Sequence, residues 1–270
     1  DLSKLNQYDF NFIFHHAAIS DTRVYDQEVV FQTNVNSFYD LLEIAKKDNA
    51  TMVYASSAAT YGNLPAPQTV GKESPENPYG FSKLLMDQIA TRYSLENPNM
   101  TIVGLRFFNV YGNREFYKAK TSSMVIQLGH QILDGENPRL FENSNQIYRD
   151  FIFIEDVIQA NIKACNPFKN GTYNIGTSIP RSFKDIVDIL QKELGTNLTI
   201  DYFENPYSGY QFNTEADINS SLKNIDFRPS FSLEDGIHAY IPEIKRLHSE
   251  KDSWLNFKIK HQKYWLLVTL

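Results

Sequence analysis

Three short apolar runs, separated by stretches of helical periodicity, constrain this chain more than any other feature. The runs are Asn11-Phe12-Ile13-Phe14, Thr51 to Ser56 and Thr101 to Phe107. Between the first two, Val35, Phe38, Leu41, Leu42 and Ala45 recur at helical spacing, which predicts a helix from about Thr33 to Lys47. A loop rich in Pro and Gly runs from Gly62 to Pro78, and Phe81, Leu84, Leu85 and Ile89 then mark a second amphipathic helix. Strand, helix, strand, helix, strand is the order of a doubly wound parallel sheet, so the fold class is α/β, of Rossmann type.

Beyond Gly112 the alternation becomes irregular, which predicts a second, smaller α/β unit. Met124 to Leu133, Asp156 to Cys165 and Phe183 to Leu194 read as helices, and Arg149 to Ile154 and Gly171 to Ile175 as extended. The division expected is a partial dinucleotide-binding domain over 1–112 with about 148–178, and a substrate domain over 113–147 with 179–257. The tail 258–270 mixes basic residues with an apolar end and has no place in that scheme.

The net charge of −6 argues against a broad basic surface for nucleic acid, while leaving room for a local phosphate pocket. Cys165 is the only cysteine, so no intrachain disulfide or cysteine-based zinc site can form, and a reducing compartment, the cytoplasm, is expected. On an apolar helix face it reads as core. No apolar run approaches the roughly 18–20 residues of a membrane helix, and no signal peptide opens the chain, so no membrane partner is expected.

The chemistry gathers at the end of the second strand and the start of the helix after it. Tyr79 and Lys83 stand four apart, on one helix face. A phenol titrates near 10 in water, and a neighbouring ammonium favours the phenolate, which makes a usable base near neutral pH. An isolated Tyr-x-x-x-Lys match is common by chance and ordinarily a surface pair. Here it follows Ser56-Ser57-Ala58-Ala59-Thr60-Tyr61-Gly62 at a strand's carboxyl end, where open α/β sheets bind ligands. A Ser57 hydroxyl there can hydrogen-bond a substrate hydroxyl or ketone while Tyr79 moves the proton. His15-His16, at the end of the first strand, reads as packing or capping more readily than as ligand-facing.

Together these residues resemble the extended short-chain dehydrogenase/reductase family. Asn34, Arg106 to Gly112, Arg149 to Val157 and Tyr173 to Gly176 match its motifs in order, and the resemblance spans Asn11 to Leu247. Asn113 to Lys118, Leu140 to Ser144 and Tyr207 to Asp217 are similar to the branch that inverts C6 of an ADP-linked heptose for the lipopolysaccharide core. The resemblance implies a transient carbonyl at C6 and hydride return to the opposite face, with bound NADP, NAD being the other candidate. It implies Ser57, Tyr79, Lys83 and Lys118 as catalytic residues, with Lys118 as the second acid/base. Ala17, Ala18, Asn34, Val110, Tyr79, Lys83 and Lys118 would meet the cofactor. Ser57, Asn109, Phe141, Glu142, Asn143, Ser144, Arg149 and Tyr210 would meet the ADP-sugar, together with Lys120 and Gln127, where the family more often has Ser and His. Arg149 could equally pair with Asp150. Family precedent suggests a homo-oligomer.

No glycine precedes Gly62, so the Gly-rich turn that holds a pyrophosphate at a helix N-terminus is missing from these residues, and with it the residue that separates NAD from NADP. The sheet is expected to lack its first strands and to expose an edge prone to aggregation. Two alternatives stand beside the C6 epimerase. One is a UDP-sugar 4-epimerase, which shares the same core triad, whereas Ala58 and Ala59 argue against a 4,6-dehydratase, which needs carboxylates there. The other is an inactive remnant without its cofactor loop.

Overall fold

The computed structural model describes residues 2–115, 118, 121–206 and 211–250. In chain order the first elements are β1 (Phe12–His15), α1 (Gln27–Phe31), α2 (Ser37–Asp48), β2 (Thr51–Ser57) and α3 (Pro78–Glu96). Next come β3 (Ile102–Phe107), β4 (Asn109–Tyr111), α4 (Met124–Leu133), β5 (Arg139–Phe141), β6 (Tyr148–Phe153) and α5 (Ile154–Ala164). The last are β7 (Gly171–Ile175), β8 (Pro180–Ser182), α6 (Phe183–Leu194), β9 (Asp201–Phe203), α7 (Asn219–Ile225) and α8 (Leu233–Ser249).

The chain forms two compact units. The first comprises Asp1–Val110, Ile147–Arg181 and Tyr207–Ser230, and the second Tyr111–Gln146, Ser182–Pro206 and Phe231–Leu270. The return over 211–230 was expected in the second unit. It is drawn into the first by Asp150, whose carboxylate accepts the Ala216 N–H at 2.9 Å, and by Asn174, whose amide donates to the Asp217 carbonyl at 3.1 Å.

In the first unit the main sheet runs β1-β2-β3-β7, every pair parallel. β2 and β3 are buried along nearly their whole length, as strands covered on both faces must be. Met52 and Tyr54 of β2 pack with Phe38, Leu41 and Leu42 of α2 and Met86 and Ile89 of α3, while the intervening Val53 faces Val157 and Ala160 of α5 and Phe227. This alternation is the two-face core of a doubly wound sheet. A smaller sheet orders β4-β6-β8. β1 is the outer described strand, with Phe12 and Phe14 each 49% exposed.

The helix expected from Thr33 begins earlier, because Asp26 caps α1 by accepting the Val29 N–H at 3.1 Å. Between α1 and α2 the chain takes one π-helical turn over Gln32–Asn36, which carries Asn34. In the second unit, α4, α6 and α8 pack on one another, and β5 and β9 form a parallel pair. α6 and α8 each start with a Ser-Asp capping box, Ser182 with Asp185 and Ser232 with Asp235. Among the described residues no helix is long and apolar enough to cross a membrane. The tail 258–270 lies outside the described residues.

Candidate active site

Local capping places the central side chains. Ser57 ends β2 in extended conformation, and its hydroxyl oxygen accepts the Ala59 N–H at 3.1 Å to cap the 3-10 turn Ala58–Tyr61. Asn77 caps α3 by accepting the Gly80 N–H at 2.9 Å, and Pro78 opens the helix with its φ already set. Tyr79 therefore lies in the first turn of α3. A Cβ at Gly80 would fall 2.5 Å from the Ala59 carbonyl oxygen, so only glycine lets that turn approach the one after Ser57. The approach sets the Ser57 hydroxyl beside the Tyr79 phenol, near enough to pull its pKa down.

Lys83, one turn further along α3, is 1% exposed, and its ammonium donates to the Ala55 carbonyl at 2.8 Å. It lies 5.9 Å from the centre of the Tyr79 ring. Burial lowers its pKa to about 8, against the opposing pull of the Asp87 charge. The sequence led us to expect the ammonium to lower the Tyr79 pKa, and the structure corrects this. Burial raises the Tyr79 phenol, and the group pulling it back down is Ser57. The ammonium is engaged instead by the Ala55 backbone carbonyl.

At the end of β1, Ala17 is exposed and Ala18 half-buried. Asn34 is fully buried and clamps the segment after them. Its Oδ1 accepts the Ile19 N–H at 2.8 Å, and its Nδ2 donates to the Ile19 carbonyl and the Ser82 hydroxyl, both at 3.0 Å. Ser82 in turn donates to the Tyr79 carbonyl at 2.7 Å, so Asn34 braces the same helix turn. His15 is 7% exposed and stacks on Phe38 with ring centres 5.8 Å apart. Its Nε2 is buried without a hydrogen-bond partner among the described residues. Burial first, then the Lys83 charge, lowers its pKa to about 4. His16 stacks on Phe107 and shares a hydrogen bond with Asn161 at 2.9 Å.

Also in the first unit, Asn109 is exposed and Val110 half-buried on β4. On β6, Arg149 and Asp150 take different partners, since successive strand residues face opposite ways. The Arg149 guanidinium donates to the Tyr148 carbonyl at 2.9 Å and to the Gln211 carbonyl. The Asp150 carboxylate is filled by the Thr177 N–H and hydroxyl (2.6 and 2.7 Å), the Ser178 N–H and the Ala216 N–H (2.9 Å each). The alternative of an Arg149–Asp150 pair gives way to these donors.

The second unit carries Lys118, exposed, and Gln127, whose side chain donates to the Ser122 carbonyl at 2.6 Å. Phe141 meets Phe203 edge-on with ring centres 5.0 Å apart, and the Glu142 N–H donates to the Phe203 carbonyl at 2.8 Å. Asn143 takes a left-handed conformation (φ 58) in the turn that follows. Ser144 is buried, its hydroxyl unpartnered among the described residues. Lys120 and Tyr210 lie outside the described residues.

Sequence reasoning missed a buried ionic network beside this centre. Asp87 accepts the Tyr54 hydroxyl, the Ser56 hydroxyl and the Arg106 Nε–H, each at 2.9 Å. Arg106 also donates to Glu73 at 2.5 Å and lies 5.0 Å over the Tyr61 ring. One signal was available: Asp87 continues the stripe of Tyr79 and Lys83 at four-residue spacing.

A family model described as the NAD dependent epimerase/dehydratase family matches residues 2–176. The chain is 47% identical to ADP-L-glycero-D-manno-heptose-6-epimerase of Helicobacter pylori, over 90% of this chain and 76% of that one, with a TM-score of 0.84. It is 29% identical to UDP-glucuronic acid 4-epimerase of Bacillus cereus, solved with UDP-glucuronic acid and NAD, over 92% and 79% of the two chains (TM-score 0.77). It is 25% identical to UDP-N-acetylglucosamine 4-epimerase of Methanobrevibacter ruminantium, over 90% and 78% (TM-score 0.82). With Ser57, Tyr79 and Lys83 gathered at the carboxyl end of a parallel sheet, the chain belongs to the NAD dependent epimerase/dehydratase family.

Proposed function

We propose that this protein is a nucleotide-sugar epimerase that inverts C6 of ADP-glycero-manno-heptose, supplying heptose for the lipopolysaccharide core in the cytoplasm. The observation that carries the reading is the placement of the Tyr79 phenol against the Ser57 hydroxyl at the end of β2, with Lys83 one turn behind. The 47% identity to the Helicobacter pylori enzyme selects the sugar.

The residues present fit the nicotinamide-ribose end of a dinucleotide. Ala55 takes one of the three Lys83 N–H groups, and beside it the His15 Nε2 is unpartnered among the described residues. Ala17 and Ala18 are small enough to let a ring approach. Asn34 holds the segment after them, and Val110 and Lys118 complete the set. A bound nicotinamide dinucleotide, NADP in our reading, supplies a reversible store for the hydride.

Acting as the phenolate, Tyr79 takes the proton of the C6 hydroxyl as that carbon becomes a carbonyl, and the phenol so formed returns one when the carbonyl is reduced. Ser57 donates a hydrogen bond to the oxygen while its charge changes. Inversion calls for acid/base groups on both sides of the carbon, and Lys118 serves as the second. Arg149 binds the diphosphate by charge-assisted hydrogen bonds. Asn109, Gln127, Phe141, Glu142, Asn143, Ser144, Lys120 and Tyr210 contact the rest of the ADP-sugar. The working form is a homo-oligomer.

A UDP-sugar 4-epimerase is the second reading, favoured by the 29% identity to the Bacillus cereus enzyme. Incubating the protein with NADP and ADP-glycero-manno-heptose, and following both C6 epimers by proton NMR, tests the assignment. Interconversion that Lys118→Met reduces to a slow residual rate supports it. Interconversion of UDP-sugars alone, indifferent to Lys118→Met, would replace it with the 4-epimerase.

A further inference from the structure

One carboxylate ties together the two ends of the segment that carries Lys118. Glu115 is 7% exposed. Its Oε1 accepts the Gly112 N–H at 3.2 Å and the Ser123 hydroxyl at 2.7 Å, and its Oε2 accepts the Ser123 N–H at 2.6 Å. A buried carboxylate is costly unless donors surround it, and these three supply that compensation. Ser123 stands at the N-cap of α4 yet makes no side-chain capping bond, because its hydroxyl is committed to Glu115. The carboxylate therefore also lies at the positive end of α4, where the helix dipole favours it. Tyr240 of α8, fully buried, presses against the same group: burial and then the Glu115 charge push its phenol upward. Between the tied ends Lys118 is exposed, and its carbonyl accepts the Thr121 hydroxyl at 2.8 Å.

A loop that only connected two elements would have no need of a buried charge at its base. We propose that Glu115 is a positioning residue for Lys118: it clamps Gly112 to Ser123, the two points between which Lys118 stands. The inference rests on the reading of Lys118 as the second acid/base. Glutamine keeps the size of Glu115 but offers one acceptor oxygen where the clamp uses two, and its NH2 faces the donors of Ser123.

The test is a double-variant cycle in the full chain, with Glu115→Gln, Lys118→Met and the two combined. Glu115→Gln should lower kcat on the order of 10²-fold, the cost of misplacing a reacting group by about an ångström. KM for the ADP-sugar should change little. In the Lys118→Met background, followed over long incubations, Glu115→Gln should lower kcat no further. Tryptic cleavage after Lys118 in the folded protein should accelerate in Glu115→Gln, and Glu115→Asp, which keeps the charge, should recover part of kcat. Should Glu115→Gln fold poorly, Glu115→Asp alone carries the same cycle. Equal losses from Glu115→Gln with and without Lys118, or no loss of kcat at all, would overturn the clamp while leaving Lys118 in place. Full activity of Lys118→Met would overturn both.

Discussion

Two clusters of buried ionisable groups stand side by side in the first unit, and they are built on opposite principles. In one, Asp87 receives three donors and Arg106 holds two carboxylates, so every charge has its partner. In the other, among the described residues, Lys83 donates to one carbonyl, the His15 Nε2 has no hydrogen-bond partner, and the Tyr79 phenol lies beside Ser57. Buried polar groups are ordinarily satisfied. A saturated network fixes the sheet to α3 and the loop after β2, whereas an unsaturated one keeps bonding capacity for something that arrives later. The same helix serves both, with Tyr79 and Lys83 on the open side and Asp87 on the closed one.

The comparison breaks most sharply by removing one group from each cluster. Asp87→Ala leaves Arg106 buried without its main counter-charge and should cost about 3–5 kcal/mol in urea unfolding. Tyr79→Phe should leave that stability within about 0.5 kcal/mol of the parent while lowering epimerase turnover roughly 10²–10⁴-fold. If Tyr79→Phe proved as destabilising as Asp87→Ala, the open cluster would be structural too.

The spacing of Tyr79 and Lys83, and the strand end at Ser57, were legible because both are local. Asp87 was not singled out, although it continues their stripe, because its partners Tyr54, Glu73 and Arg106 are brought to it only by sheet pairing. The helix α8 was also missed. Gly236 and Pro242 interrupt its pattern, yet Ile237, Tyr240, Ile241, Ile244 and Leu247 are all buried along it, and Ser232 with Asp235 marks its start. The strands β5 and β9 span three residues each, and their pairing of Leu140 with Tyr202 is decided by contacts distant in sequence. Glu115 was not singled out, because only the return of the chain at Ser123 shows what it binds.

Two pH effects sharpen the contrast further. His15 has its folded pKa lowered to about 4 from 6.5, so the unfolded chain binds the extra proton first as pH falls. Stability should therefore decline between pH 6.5 and 4, by up to roughly 3 kcal/mol, and His15→Phe should remove that loss in urea titrations at both pH values. Lys83, lowered to about 8, loses its charge as pH rises through that value. A limb near pH 8 is expected in kcat/KM, moving to higher pH in Lys83→Arg; an unchanged limb would assign it to another group.

The proposal that C6 itself is oxidised and re-reduced is tested most directly by running the epimerisation in deuterated water. The C6 hydrogen travels as hydride and returns to the carbon it left, so both epimers should carry no deuterium at C6 after many turnovers. Deuterium appearing at C6 in step with inversion would mean that the hydrogen left as a proton, and would contradict the account.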